Sequence, residues 1–339
     1  MTRALRGLAT GIGSLPFTDA GEAVEAVVRA CPALPFWPQL PTRTPLEGML
    51  AQFMQQLPAT AEDLETFYEH LIAHDVGYFK ITQDRAQGLY AFRDALRNNP
   101  AWLPPIQFLK CHITGPFTAA AGMKGQDGKA YLHDPTFLQA LLKGLAMKAL
   151  WQIDFLKEFK KPFIVFIDEP YLGCFGSAYT PLNREDAVAG LLELTGSLHS
   201  DTVLTGVHCC GNTDWSILTD VSTLDIINFD AFSFSEEFLL YAEDIKRFIA
   251  RGGILCWGIV PTQEPLEGIT ALNLAGKIMA KVIRLERKGV DKRALLEQML
   301  VSPACGLGTM AAADAHKTLQ LLQETSRVLQ EEVYKYEGI

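Results

Sequence analysis

The chain has 339 residues, of which 48% are apolar, and its 30 Lys and Arg against 39 Asp and Glu give a net charge of −9. That apolar share supports a large packed core and excludes disorder over much of the length. An acidic chain without blocks of Lys and Arg is a poor partner for nucleic acid or an anionic membrane surface. No run of ~18 apolar residues reads as a membrane span, and the opening Met1-Thr2-Arg3-Ala4-Leu5-Arg6-Gly7-Leu8 lacks the apolar core of a signal peptide, so a cytoplasmic protein is expected.

In chain order, the first apolar run with strand character covers residues 8–15, and Asp19 opens a helix that runs through Cys31. A second strand is expected at 36–40, then a helix over 60–74 with Glu62 and Asp63 in its first turn, where the helix dipole favours acids. Strands follow at 76–81 and 106–113. Asp134-Pro135 then starts a long helix through Lys157, since proline at the first helical position loses nothing by its missing N–H. The remainder alternates: strand 163–167, helix 185–198, strands 202–208 and 226–230, helix 236–251, strand 254–260, helix 266–288, strand 298–302 and a closing helix 311–334.

Most of these strands are continuously apolar, as strands covered on both faces require. Repeated strand and helix units with no linker dividing them predict an α/β protein with one domain over 1–339, a single (β/α)8 TIM barrel. Nine strand candidates are one too many, and one of the first two or the last is expected to be an addition at the rim. A doubly wound open sheet competes, but no Gly-x-Gly-x-x-Gly follows any strand; Gly11-Ile12-Gly13 lacks the third glycine.

Barrel active sites lie at the C-terminal ends of the strands, and the strand ends here are polar. They read Gly11-Ile12-Gly13-Ser14, Thr114-Gly115-Pro116, Ile167-Asp168-Glu169-Pro170, His208-Cys209-Cys210, Asn228-Phe229-Asp230 and Pro303-Ala304-Cys305-Gly306. Seven cysteines, an odd number, argue against a disulfide framework, so each is a buried apolar residue, a reactive thiol or a metal ligand. His208 and Cys210 stand two apart after an apolar strand, and with Cys305 they form a His/Cys/Cys set that suits Zn²⁺ and excludes Mg²⁺ or Ca²⁺. Asp230, at the next strand end, is either a fourth, weakly held oxygen ligand or a hydrogen-bonding partner. Cys209, between the two ligands, points the other way and belongs to the core. Three ligands with one exchangeable position form a catalytic pattern, and two thiolates leave a zinc-held substrate thiol nucleophilic. Alkyl transfer to sulfur follows as the expected chemistry.

At these residues the sequence resembles the cobalamin-independent methionine synthase family, within the superfamily that also holds uroporphyrinogen decarboxylase and coenzyme M methyltransferases. The likeness covers nearly the whole chain and corresponds to the C-terminal catalytic barrel of the full-length synthase. It implies a zinc-dependent methyltransferase of methionine biosynthesis with His208, Cys210 and Cys305 as ligands, and with Asp230 near the place of a weak fourth ligand that is normally glutamate. It further implies that Ile12, Gly13, Ser14 and Asp168 contact the amino-acid part of a small thiol such as homocysteine, with Asp168 in the catalytic set.

Three departures concern the methyl donor and the substrate. Pro38-Gln39-Leu40-Pro41 stands where the family keeps an amino-group-binding glutamate. Trp257-Gly258-Ile259-Val260-Pro261-Thr262 carries no proton-donor histidine, and Ala119-Ala120-Ala121-Gly122 has no folate-stacking tryptophan. His112 and His316 are the remaining rim histidines, each either structural or a replacement acid. A folate donor needs a proton for its departing nitrogen; a methylcorrinoid such as methylcobalamin, free or on a corrinoid protein partner, does not. Two alternatives stay open: a decarboxylase in which Asp168 and Asp230 bind pyrrole nitrogens without metal, and an accessory protein that binds thiol or corrinoid without turnover.

Overall fold

Seven apolar runs pair into one sheet, which a computed structural model describes over residues 4–125, 128–177 and 180–338. The strands are β1 (Leu8–Ala9), β2 (Leu109–Thr114), β3 (Phe163–Asp168), β4 (Val203–Cys209), β5 (Ile226–Phe229), β6 (Ile254–Val260) and β7 (Met299–Pro303). All pair in parallel, in the order β1-β7-β6-β5-β4-β3-β2. The result is an α/β fold with a curled, half-barrel sheet among helices.

Alternation along the strands divides the apolar residues between the two faces. Phe108, Ile164, Phe166, Ile226, Ile254, Cys256 and Leu300 pack together on the concave side. Their sequence neighbours Leu109, Val165, Ile227, Leu255 and Val301 join the larger core under the helices. The concave positions beyond the apolar cluster are Lys110 and His112 on β2, Asp168 on β3, His208 on β4, Asn228 on β5 and Ser302 on β7. Polar chemistry therefore collects on one face at one end of the sheet.

The helices covering the outer face are α1 (Ala20–Ala30), α2 (Ala61–Ile72), α3 (Gln87–Asn98), α4 (Pro116–Gly122), α5 (Pro135–Leu156), α6 (Arg184–Leu198), α7 (Ser216–Asp220), α8 (Ser235–Phe238), α9 (Ala242–Ala250), α10 (Ala271–Arg287), α11 (Lys292–Glu297) and α12 (Ala312–Glu337). Their starts follow capping chemistry: the Asp19 carboxylate accepts from Glu22 N–H and that of Asp134 from Thr136 N–H. Thr270 Oγ1 accepts from Asn273 N–H, which delays α10 to Ala271 instead of 266. The helix expected over 236–251 is two pieces, and α3, α4, α7 and α11 were not foreseen. Among the described residues no helix is long and apolar enough to cross a membrane.

The strand expected at 76–81 does not form. Consecutive turns replace it: Asp75 accepts the Tyr78 N–H through both its backbone oxygen and its Oδ1, and Phe79 N–H bonds the Val76 carbonyl. Phe79 and Ile81 are buried as packing of this turn, so the apolar run reports burial and not a strand. Two of the nine candidates thus form no strand of the sheet: 76–81, and 36–40, one of the first two, which makes only isolated bridges.

The edges β1 and β2 are bridged by the segment expected as the second strand. Ser14 pairs with Gln39 and Phe36 with Lys110, both in parallel. Leu15 N–H bonds the Gln39 carbonyl at 2.8 Å, Gln39 N–H the Gly13 carbonyl at 3.0 Å, and Lys110 N–H the Pro35 carbonyl at 2.9 Å. Pro35, Pro38 and Pro41 bring no N–H to a ladder, so only isolated bridges form. Residues 10–15, expected within the first strand, leave the ladder where Gly11 lies under the Phe36 ring; a Cβ there would fall 2.3 Å from the ring.

Candidate metal centre

His208 reaches the concave face because β4 is thin beneath it. A Cβ on Gly206 would meet the Phe166 ring at 2.7 Å, so only glycine lets that ring fill the interior one step below His208. Cys209 points to the other face and is buried in the core, as expected. Cys210 follows the strand end, and Cys305 stands two residues beyond β7. One donor atom each from His208, Cys210 and Cys305 all lie within 4.8 Å of one another, a group able to hold a metal ion.

The orientation of His208 is set from behind. Asn228 Nδ2 donates to the Cys256 carbonyl and to Ser302 Oγ, both at 2.9 Å, while Ser302 Oγ donates to the Pro303 carbonyl. The amide oxygen of Asn228 is thereby turned to His208 Nδ1, at 2.5 Å. An acceptor there puts the imidazole proton on Nδ1 and leaves the lone pair on Nε2, which is buried and has no partner. Neither Asn228 nor Ser302 was singled out from the sequence. The available signal was an amide inside the apolar run Ile226-Ile227-Asn228-Phe229.

The hydrogen bond from the Cys305 thiol lowers the Cys210 pKa below that of an ordinary thiol. The same contact, with burial, pushes Cys305 up to about 12. Burial disfavours the imidazolium of His208, but the neighbouring Cys305 sulfur and Asp168 carboxylate carry its pKa upward. Holding a cation would require these protons to leave, so metal uptake should release protons.

Asp168 lies in register with His208 on one side and Thr114 on the other. It is 9% exposed, and its Oδ1 has no partner. Burial raises its pKa, against the pull of His208 and Lys110. Glu169 has a different task. Its Oε1 accepts from Phe117 N–H at 2.8 Å, and its Oε2 from Thr118 N–H at 2.9 Å and Thr118 Oγ1 at 2.6 Å. It caps α4 from another strand end, buried, with its pKa pushed up to about 7 by desolvation. A Cβ on Gly115 would fall 2.1 Å from that carboxyl, so the glycine of Thr114-Gly115-Pro116 makes room for the cap.

Asp230 is not in the three-residue group. Its Oδ1 accepts from Ser233 N–H at 2.8 Å, the hydrogen-bonding role that was its alternative. Of Ile12, Gly13 and Ser14, the last meets the Cys305 loop: Leu307 N–H bonds the Ser14 carbonyl, and Gly308 N–H bonds Ser14 Oγ at 3.3 Å. Below them Lys110, buried among apolar residues, donates from Nζ to the Ile12 carbonyl at 2.6 Å. His316 is 49% exposed and pairs with Glu22 between α12 and α1, away from the concave face.

No family model matches this chain, and a search of curated proteins finds no match.

Proposed function

We propose that the chain is a closed (β/α)8 barrel, with 36–39 as its eighth strand, acting as a zinc-dependent methyltransferase of the cobalamin-independent methionine synthase type. The acceptor is a small thiol, homocysteine or a relative, and the donor is a methylated corrinoid. The observation that carries this reading is the convergence of His208 Nε2 and the two thiol sulfurs from β4 and the β7 loop, a soft donor set that suits zinc. Bound there, zinc would supply acidification of a thiol to its nucleophilic thiolate.

The protein's own residues support the remainder. Asp168 presents an unpartnered carboxylate oxygen, Oδ1, beside His208, suited to orient a substrate amine. In the transfer the sulfur lone pair forms the S–CH₃ bond, and the methyl–cobalt electron pair stays with cobalt, so no proton donor is needed. A folate would need one: His316 lies off the face, and burial holds His112 well below the ordinary imidazole range, which makes it a weak acid carrier. The metal-free decarboxylase reading needs both carboxylates for ligand, and that of Asp230 is already engaged by Ser233.

The test is elemental analysis of the purified protein, then methylation of a panel of thiols from methylcobalamin or methyltetrahydrofolate. One zinc per chain and transfer from the cobalamin are expected. A metal-free protein, or efficient transfer from the folate alone, would reverse the assignment. Asp168→Asn should retain zinc and lose turnover by at least tenfold; loss of zinc would make Asp168 a ligand.

A further inference from the structure

Nine buried side-chain atoms lack a hydrogen-bond partner among the described residues, and four of them belong to the concave-face residues His112, Asp168 and His208. The metal reading accounts for His208, and the substrate amine for Asp168. His112 has both ring nitrogens unpartnered although it is only 1% exposed. Leaving a buried polar atom unpaired is costly, so an orphaned ring held in place points to a ligand.

The ring is held. It stacks on Trp37 with centroids 3.9 Å apart, and Phe53 meets it edge-on at 6.1 Å. Trp37 is itself tied by Nε1 to Gln152 Oε1 at 2.8 Å, and Gln152 Nε2 donates to the His112 carbonyl at 2.9 Å. On its other side the ring abuts Gly13, where a Cβ would fall 2.9 Å from Cε1. The backbone N–H groups of Ile12, Gly13 and Ser14 donate to no described residue. Lys110, one step down the same face, places a cation under this corner, whereas Asp168 places an anion across from it.

We propose that His112 is a specificity-determining residue that donates a ring N–H to the carboxylate of a thiol-bearing carboxylic acid whose sulfur faces the His208, Cys210 and Cys305 group. This rests on the thiol reading above and adds to it the selection of an acid over a plain alkanethiol. The imidazole is suited to the role because it stays neutral: burial and the Lys110 charge disfavour its protonation. A neutral ring has one N–H to give and an acceptor left for water or a substrate ammonium.

The experiment uses the full chain loaded with cobalt in place of zinc and reads thiol binding from the metal's absorption spectrum, with no turnover required. Homocysteine is compared with 3-aminopropanethiol, the same thiol without its carboxylate. Wild type should bind homocysteine at least tenfold tighter. His112→Phe, which keeps the stacked ring and removes the donor, should bring the two within about twofold by weakening homocysteine only, and His112→Asn should recover part of the preference. Equal weakening of both thiols by His112→Phe, or an unchanged preference, would overturn the proposal, as would a wild type without the preference. If neither thiol perturbs the spectrum of wild type, the thiol reading itself falls and this proposal with it. If both bind wild type regardless of His112, only the present proposal falls.

Discussion

The two sides of the concave face differ in how completely they are wired. On the β4, β5 and β7 side, Asn228 uses its oxygen and both N–H bonds on His208, Ser302 and Cys256, and the one atom left over is the Nε2 that faces the two thiols. On the side where 36–39 bridges β1 to β2, His112 has no partner on its ring, Asp168 leaves one oxygen unpaired, and Lys110 has one carbonyl. A site completed by a single ion can satisfy every other polar atom from within. A site that receives a larger molecule with several polar groups keeps several of its own in reserve. Under the proposed function, the first side would hold the metal and the second the body of the substrate.

The comparison breaks first at the ligands. Cys305→Ser should reduce zinc content from about one per chain to well below one, because a neutral hydroxyl replaces a thiolate in a three-ligand set. Cys31→Ser and Cys174→Ser should leave it unchanged, as Cys31 is buried beside the sheet and Cys174 is exposed after β3. Equal metal content in all three would remove the ion from this side.

The other side can be tested through its buried cation. Desolvation lowers Lys110 from 10.5 to about 8. Between those values the unfolded chain keeps the proton that the folded chain has lost, so unfolding takes up a proton and stability rises with pH across that window. At 1.36 kcal/mol per unit the rise attributable to Lys110 is about 3 kcal/mol. Denaturant unfolding of wild type and Lys110→Met at pH 7.5 and 10 isolates it, since cysteines and other groups titrate alike in both. Wild type should gain on the variant by about 2 kcal/mol, the part of that rise which pH 7.5 to 10 spans; parallel profiles would mean that water reaches Lys110.

The legibility of the two sides in the sequence follows the same division. Ligand types at strand ends are local facts, so His208, Cys210 and Cys305 could be read from a few adjacent residues. Asn228 could not, because its importance lies in partners 20, 28 and 74 residues away in sequence. Nor could the role of Glu169, which caps α4 although that helix begins 53 residues earlier, and only the β2–β3 pairing brings the two together. The strand at 76–81 was misread because continuous apolarity records burial, which a packed turn also provides. At 36–40 the run was found and its prolines decided how little of it could pair.

The smallest expected effect sharpens the contrast most. Asn228→Ala removes the acceptor of His208 Nδ1–H and unties Ser302, but touches none of the three donor atoms. The imidazole can then swing or shift its proton to Nε2, which must be deprotonated to bind a cation. Loss of such an outer partner typically weakens metal binding 10–100-fold, or about 1.4–2.8 kcal/mol. Chelator competition should show that loss, with one ion per chain still bound at saturating metal. Asn228→Asp keeps an acceptor for His208 and gives up the donors to Ser302 and Cys256, so its affinity should fall between the two. His112→Phe, on the opposite side, should leave metal affinity unchanged. An Asn228→Ala protein with wild-type affinity would mean that His208 is oriented by the strand alone and that the network behind it is only packing.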